Sequence, residues 1–187
     1  MKKIIITMLV CCVSVAWAQV SHNSSPGTAI NSSTCVDNTS GAGGITDTIV
    51  FAETGTISDV DVRVEIDHTW RGDLQFDVSY SGGGGNVYLA GDHDGSGDNY
   101  YATFDDEAGT TCATTCGVTT NCVGTATAAI CQPNSPLTAF DGLTSPGTWT
   151  LSVCDDAGGD EGTFQFWEMT VSGSGGLPVE LQGFSVE

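Results

Sequence analysis

The chain has 187 residues, with 4 lysines and arginines against 23 aspartates and glutamates. A formal net charge of −19 excludes nucleic-acid binding, which needs clustered Lys and Arg, and argues against docking on an anionic membrane surface. A hydrophobic share of 40% leaves enough apolar material for the core of a single unit of about 130 residues.

Lys2 and Lys3 form a positive opening, Ile4 to Val15 is apolar, and Ala16-Trp17-Ala18 is a small-x-small cleavage motif. Residues 1–18 therefore read as a signal peptide, and the mature chain is expected to begin at Gln19, with no catalytic domain ahead of it. The apolar run is too short for a membrane anchor, and no other stretch reads as a membrane span. Once both lysines leave with the signal, Arg63 and Arg71 are the only cations. Residues 19–44 are rich in Ser, Asn, Thr and Gly and show no periodicity, so they read as a loose leader tied down at Cys35.

From Thr46 onward short strands recur between turn signals. They are expected at 46–51, 57–67, 74–80, 86–90, 100–104, 148–153 and 163–171, a spacing that indicates an all-β sandwich. The clearest is Ile57 to Asp67. There Val60, Val62, Val64 and Ile66 alternate with Asp61, Arg63, Glu65 and Asp67, the period of a strand with one face buried. Leu74, Phe76, Val78 and Tyr80 alternate again. The glycines at 82–85 read as a flexible hairpin. Residues 109–136 form a Thr-, Ala- and Cys-rich insertion, and Leu177 to Val186, within a C-terminal tail at 174–187, reads as a further strand. Cys35, Cys112, Cys116, Cys122, Cys131 and Cys154 survive processing. In an exported chain an even set reads as disulfides. Four of them crowd the insertion and are expected to pair locally, leaving Cys35 and Cys154 for a long-range bridge.

Four segments carry a family pattern in order: ISDVDVRVEIDHTWRGDL at 57–74, GSGDN at 95–99 running on to FDDEA at 104–108, GTWTLSV at 147–153, and DDAGGDEGTFQFWEMTV at 155–171. Over roughly residues 45–173 the chain resembles the P domain, or P/Homo B domain, of the proprotein-convertase and kexin group. The resemblance implies a disulfide-linked, galactose-binding-like jelly-roll β-sandwich. It also implies a role accessory to a subtilisin-like serine protease. No serine segment of the subtilisin kind and no G-x-S-x-G elbow occurs here, so no catalytic residue is assigned. A lone module of this type would serve a protease in trans, secreted or at the cell surface. The alternative is an adhesive module for glycans or proteins, with Tyr88, Tyr100 and Tyr101 as exposed aromatics.

Two constellations stand out. Asp92-x-Asp94-x-Ser96-Gly97-Asp98 imitates the first half of a calcium loop but has Thr103 where such a loop places its bidentate Glu. With Asp105 and Asp106 folding back, Asp92, Asp94 and Asp98 are the expected calcium ligands. The competing reading makes these side chains turn caps. The second group is His68, Trp70, Arg71, Asp73, Asp155 and Asp160, expected to be structural. Trp70 should pack on the sandwich edge, Arg71 should pair with an acid such as Asp73 or Asp106, and the loop from Asp155 to Asp160 should be a tight turn. Trp149 and Trp167 are expected in the core.

Overall fold

The structure is a computed structural model that describes residues 18–31, 44–91, 96–112 and 129–175. Its strands are β1 (Ala18–Ser24), β2 (Thr28–Ile30), β3 (Ile45–His68), β4 (Leu74–Tyr80), β5 (Gly83–Ala90), β6 (Tyr100–Phe104), β7 (Ile130–Cys131), β8 (Thr144–Asp155) and β9 (Gly162–Ser174). Single 3-10 turns lie at Arg71–Asp73 and Leu137–Phe140.

The long strand β3 organises the molecule. Its first half, from Ile45 to Thr56, pairs antiparallel with β8, and its second half, from Thr56 to His68, pairs with β9. Residues Val62 to Ile66 also pair with β6 on the other side. The register slips between Phe51 and Gly55 and again between Ile57 and Asp59. Such irregularities let one strand bend out of one layer into the next. β8, β4 and β5 continue the first layer. β9 and β1 continue the second, with β7 added parallel to β6. The result is the expected all-β, jelly-roll-type sandwich.

The core lies where the inner faces meet. Phe76 of β4 sits 4.7 Å from the ring of Tyr100 and 6.2 Å from that of Phe104, both on β6. Val60, Val62, Val64 and Ile66 are buried beneath β9 and β6, as their alternation requires. Trp149 on β8 anchors the opposite end. Tyr80 stacks on it at 4.4 Å, and Phe140 meets it edge-on at 4.9 Å. Trp167 is buried as well, and its indole N–H donates to Asp47 Oδ2 at 2.7 Å.

Several local expectations are corrected. Part of the supposed loose leader is two strands: β1 and β2 both pair with β9. β1 shows no periodicity because it is an edge strand of polar residues, held by backbone hydrogen bonds rather than by an apolar face. Ile30, at the end of β2, is its buried anchor. The glycine run is ordered from Gly83 onward as the start of β5. At Gly84, with φ of +84°, an added Cβ would come within 2.6 Å of the Phe140 ring, so this position accepts neither the side chain nor the usual backbone. Local pairing in the insertion is seen in Cys112–Cys131. Cys154 is disulfide-bonded too. Its expected partner Cys35, together with Cys116, Cys122, the signal segment 1–17 and the tail strand 177–186, lies outside the described residues.

Candidate functional site

β6 separates two polar regions that the sequence reading had merged. Asp98 and Asn99 precede the strand, and Asp105 and Asp106 follow it. A strand of that length holds Asp98 and Asp105 roughly 20 Å apart. Asp98 and the pair Asp105 and Asp106 therefore stand apart, at opposite ends of β6. Asp92 and Asp94 lie outside the described residues, while Asp98 is exposed at one end and Asp105 and Asp106 stand at the other. Two of these act as caps. Asp106 accepts the N–H groups of Leu137 and Thr138 at 3.0 and 2.9 Å, opening the 3-10 turn. Asp105 Oδ1 accepts the Glu107 N–H at 2.7 Å.

At the Asp98 end the family segment H-T-W-R-G-D builds a braced turn. Its centre is His68, whose side chain is fully buried. His68 Nε2 lies 3.3 Å from Asp155 Oδ2, its ring N–H donating to the carboxylate. Nδ1 faces both polar groups of one residue, the Trp70 carbonyl oxygen at 2.8 Å and the Trp70 amide nitrogen at 3.1 Å. A protonated ring donates to that carbonyl, and a neutral ring accepts from that N–H, so the turn is held in either state. Asn99, in the left-handed region at φ 60°, closes the other side. Its Oδ1 accepts the His68 N–H at 3.0 Å, and its own N–H donates to the His68 carbonyl at 2.8 Å.

The neighbouring acids complete the brace. Asp155 is buried and its Oδ1 accepts the Ala157 N–H at 3.1 Å. Burial pushes its carboxyl above the usual range, against the opposing pull of His68. Asp73 is pushed up as well, by burial first and then by the charges of Asp155, Asp156 and Asp160. Asp160 accepts from the Thr69 hydroxyl at 2.7 Å. Gln75 Nε2 donates to Asp156 at 2.7 Å. These side-chain bonds tie the loop 155–160 to the turn at 68–75.

Arg71 is buried, with its guanidinium packed on Gly97. Asp106 stands beyond the far end of β6 from it. Trp70, expected on the sandwich edge, keeps 43% of its surface in solvent, whereas Trp149 and Trp167 are at 1% and 0%. Tyr100, expected on the surface, is fully buried; strand alternation puts it on the inner face of β6 with Ala102 and Phe104.

At the other end of β6 an acidic basin appears that the sequence reading missed. Ser58, Asp59, Asp61, Asp105, Glu107 and Ser172 line a hollow of about 450 Å³. The signal was present in part. Asp61 belongs to the polar face of β3, and the pairing of Val62 with Phe104 brings Asp105 beside it. That register is decided only by folding. Burial, and then the charges of Asp59, Asp105, Glu107 and Asp106, push the Asp61 carboxyl up to about 7. Asp77 was also missed. It sits in the middle of β4, 1% exposed, with neither carboxylate oxygen hydrogen-bonded, and burial alone pushes it up to about 6.

As for catalysis, the two described histidines bond to Glu53 and Asp155 respectively, and neither to a serine. Among the described residues no helix is long and apolar enough to cross a membrane, and no group of three His, Cys, Asp or Glu side chains is placed to hold a metal ion.

Comparison with known proteins agrees with this architecture. The model of the proprotein convertase P-domain matches residues 57–171. Among solved structures, the chain is similar to the Aeromonas sobria serine protease ASP crystallised with its chaperone ORF2, at a TM-score of 0.53 and 19% identity, over 86% of this chain and 27% of that one. It is also similar to the serine protease of Aeromonas sobria crystallised by itself, at 0.51 and 19%, over 84% and 27%. The likeness is one of fold, and this chain spans about a quarter of the length of those proteins. No curated protein matches it. With the family pattern running from β3 through β9 and the braced turn in place, the chain belongs to the proprotein convertase P-domain family.

Proposed function

We propose that the chain is an exported, non-catalytic P/Homo B module that serves a subtilisin-like serine endopeptidase, stabilising it, setting its calcium response or presenting its substrate. The observation that carries this reading is the family match over residues 57–171. The burial of His68 supports its non-catalytic part. A general base must reach the proton it removes, and a fully enclosed imidazole tied to Asp155 and Trp70 cannot reach a substrate in solvent. The adhesive alternative loses one of its three aromatics with the burial of Tyr100, while Tyr88 and Tyr101 are half-buried.

Calcium belongs to the same proposal. Asp98 stands at the opposite end of β6 from Asp105 and Asp106, so those acids would not share one ion. The basin at Asp59, Asp61, Asp105 and Glu107 offers only oxygen donors, the kind a hard cation takes; no three of them are gathered to hold an ion as they stand, so calcium there would have to draw them together.

The test is to heat a subtilisin-like catalytic domain, stripped of its own P domain, with and without the mature chain from Gln19 to Glu187. Residual peptidase activity is then measured in calcium and in EDTA. The accessory reading expects a longer half-life in the presence of the chain. An unchanged half-life in both buffers overturns it.

A further inference from the structure

Trp70 is the one described tryptophan left in solvent, and the chain goes to some length to hold it there. Its N–H and C=O both meet the buried His68 ring. Thr69 before it is tied to Asp160 and to the Glu161 carbonyl. The Arg71 N–H after it donates to the Gly97 carbonyl at 2.9 Å, and the Asp73 N–H donates back to the Trp70 carbonyl at 3.2 Å. An indole on a mobile loop pays an ordering cost when it binds; one on a backbone tied at Thr69, Trp70, Arg71 and Asp73 is ordered beforehand. Large aromatics presented in this way dominate protein interfaces.

The surroundings select the occupant. Thr69 bonds directly to Asp160, and Glu161 is exposed beside it. Asp73 and Asp156 are half-buried in the same bundle of loops, and the charges of Asp155, Asp156 and Asp160 all reach the Asp73 carboxyl. An apolar ring on a turn tied to an acidic loop suits a flat cation that can lie over the indole while donating to the acids. A guanidinium does both, stacking on aromatic faces and bonding carboxylates in a planar fork. An ammonium is hydrated more tightly and stacks less well.

We propose that the Trp70 turn is a docking point for an arginine on the surface of a partner protein, with Asp160 and Glu161 receiving its guanidinium. This rests on the accessory reading above and names the chemistry by which the protease would be held.

The variants are Trp70→Ala, Trp70→Phe, the double change Asp160→Asn with Glu161→Gln, and Val50→Ala as a control. Val50 is 66% exposed and lies on the first half of β3. Each is first melted. Trp70→Ala should melt within a degree or two of the parent, because its ring is not part of the core; a large drop overturns the proposal by showing the ring to be structural. Tetra-arginine is then titrated while tryptophan fluorescence is followed at low salt. Quenching is expected in the parent, weaker binding with tetra-lysine, about a five- to tenfold loss in Trp70→Ala and in the acid double variant, partial retention in Trp70→Phe, and no change in Val50→Ala. Equal tetra-arginine affinity in Trp70→Ala, followed by calorimetry, overturns it.

The same variants then enter the protease heating assay. If the parent protects the catalytic domain and Trp70→Ala does not, the docking point is supported. If both protect equally, the accessory reading stands and the docking point falls. If the parent gives no protection, the accessory reading is the one that fails, and tetra-arginine binding alone decides the turn.

Discussion

The largest carboxylate shifts in this molecule are at Asp61 and Asp77. Asp61 keeps its proton up to about pH 7 in the folded chain, through burial and four neighbouring acids, and Asp77 up to about pH 6, through burial. An unfolded Asp loses its proton near about 3.9. Between these values the native state binds more protons than the unfolded one, so stability is fully present below about pH 4 and is lost as pH rises through about 6 to 7. Melting temperature should therefore fall from pH 4.5 towards pH 7.5. Asp61→Asn and Asp77→Asn should each flatten the slope, and Asp77→Asn should match or exceed the parent at pH 7.5. A parent that gains stability across that interval would show that both groups ionise freely in the native state. Asp155 behaves differently because it has a partner. Asp155→Ala leaves the buried His68 ring without its acceptor and should cost about 3 kcal/mol in urea denaturation at neutral pH.

Among the elements, the cap and the cross-link lend themselves to direct test. Asp106→Ala frees the N–H groups of Leu137 and Thr138 and should cost about 1 kcal/mol. The buried Phe140, at the end of that turn, packs on Trp149, so near-ultraviolet circular dichroism should register the change. The Cys112–Cys131 bridge spans 19 residues, and its replacement by two alanines should cost about 3 kcal/mol by loop-closure arguments. The element most poorly legible beforehand was β1. The run from Ala18 to Ser24 carries no hydrophobic stripe because an edge strand on an existing sheet needs backbone partners rather than a buried face. β3, β4 and β9 were legible because each buries one face, and Val60, Val62, Val64 and Ile66 announce theirs residue by residue.

For the whole molecule, the two aromatic groups are the places where the layers are joined. Phe76→Ala removes the ring that touches both Tyr100 and Phe104 across the core and should cost about 3–5 kcal/mol. Calcium acts at this scale too. Under the proposal, saturating calcium should raise the melting temperature of the mature chain by several degrees over EDTA, and Asp61→Asn should halve that shift or more. No shift would mean that the basin is only solvated surface.

The sequence by itself determined the all-β class, the faces of the principal strands, the burial of Trp149 and Trp167, and the family, because each follows from local periodicity or from segments in fixed order. It did not determine which acids meet. Asp98 and Asp105 are seven positions apart and lie at opposite ends of a strand, whereas Asp61 and Asp105 are 44 positions apart and adjacent. Nor did it decide that Trp70 stays in solvent while Tyr100 is enclosed. Register across β3 and β6, and the bracing of one turn by His68, are long-range outcomes of packing. A side chain's neighbours depend on which strands pair and where each one slips, and only the tertiary structure decides that.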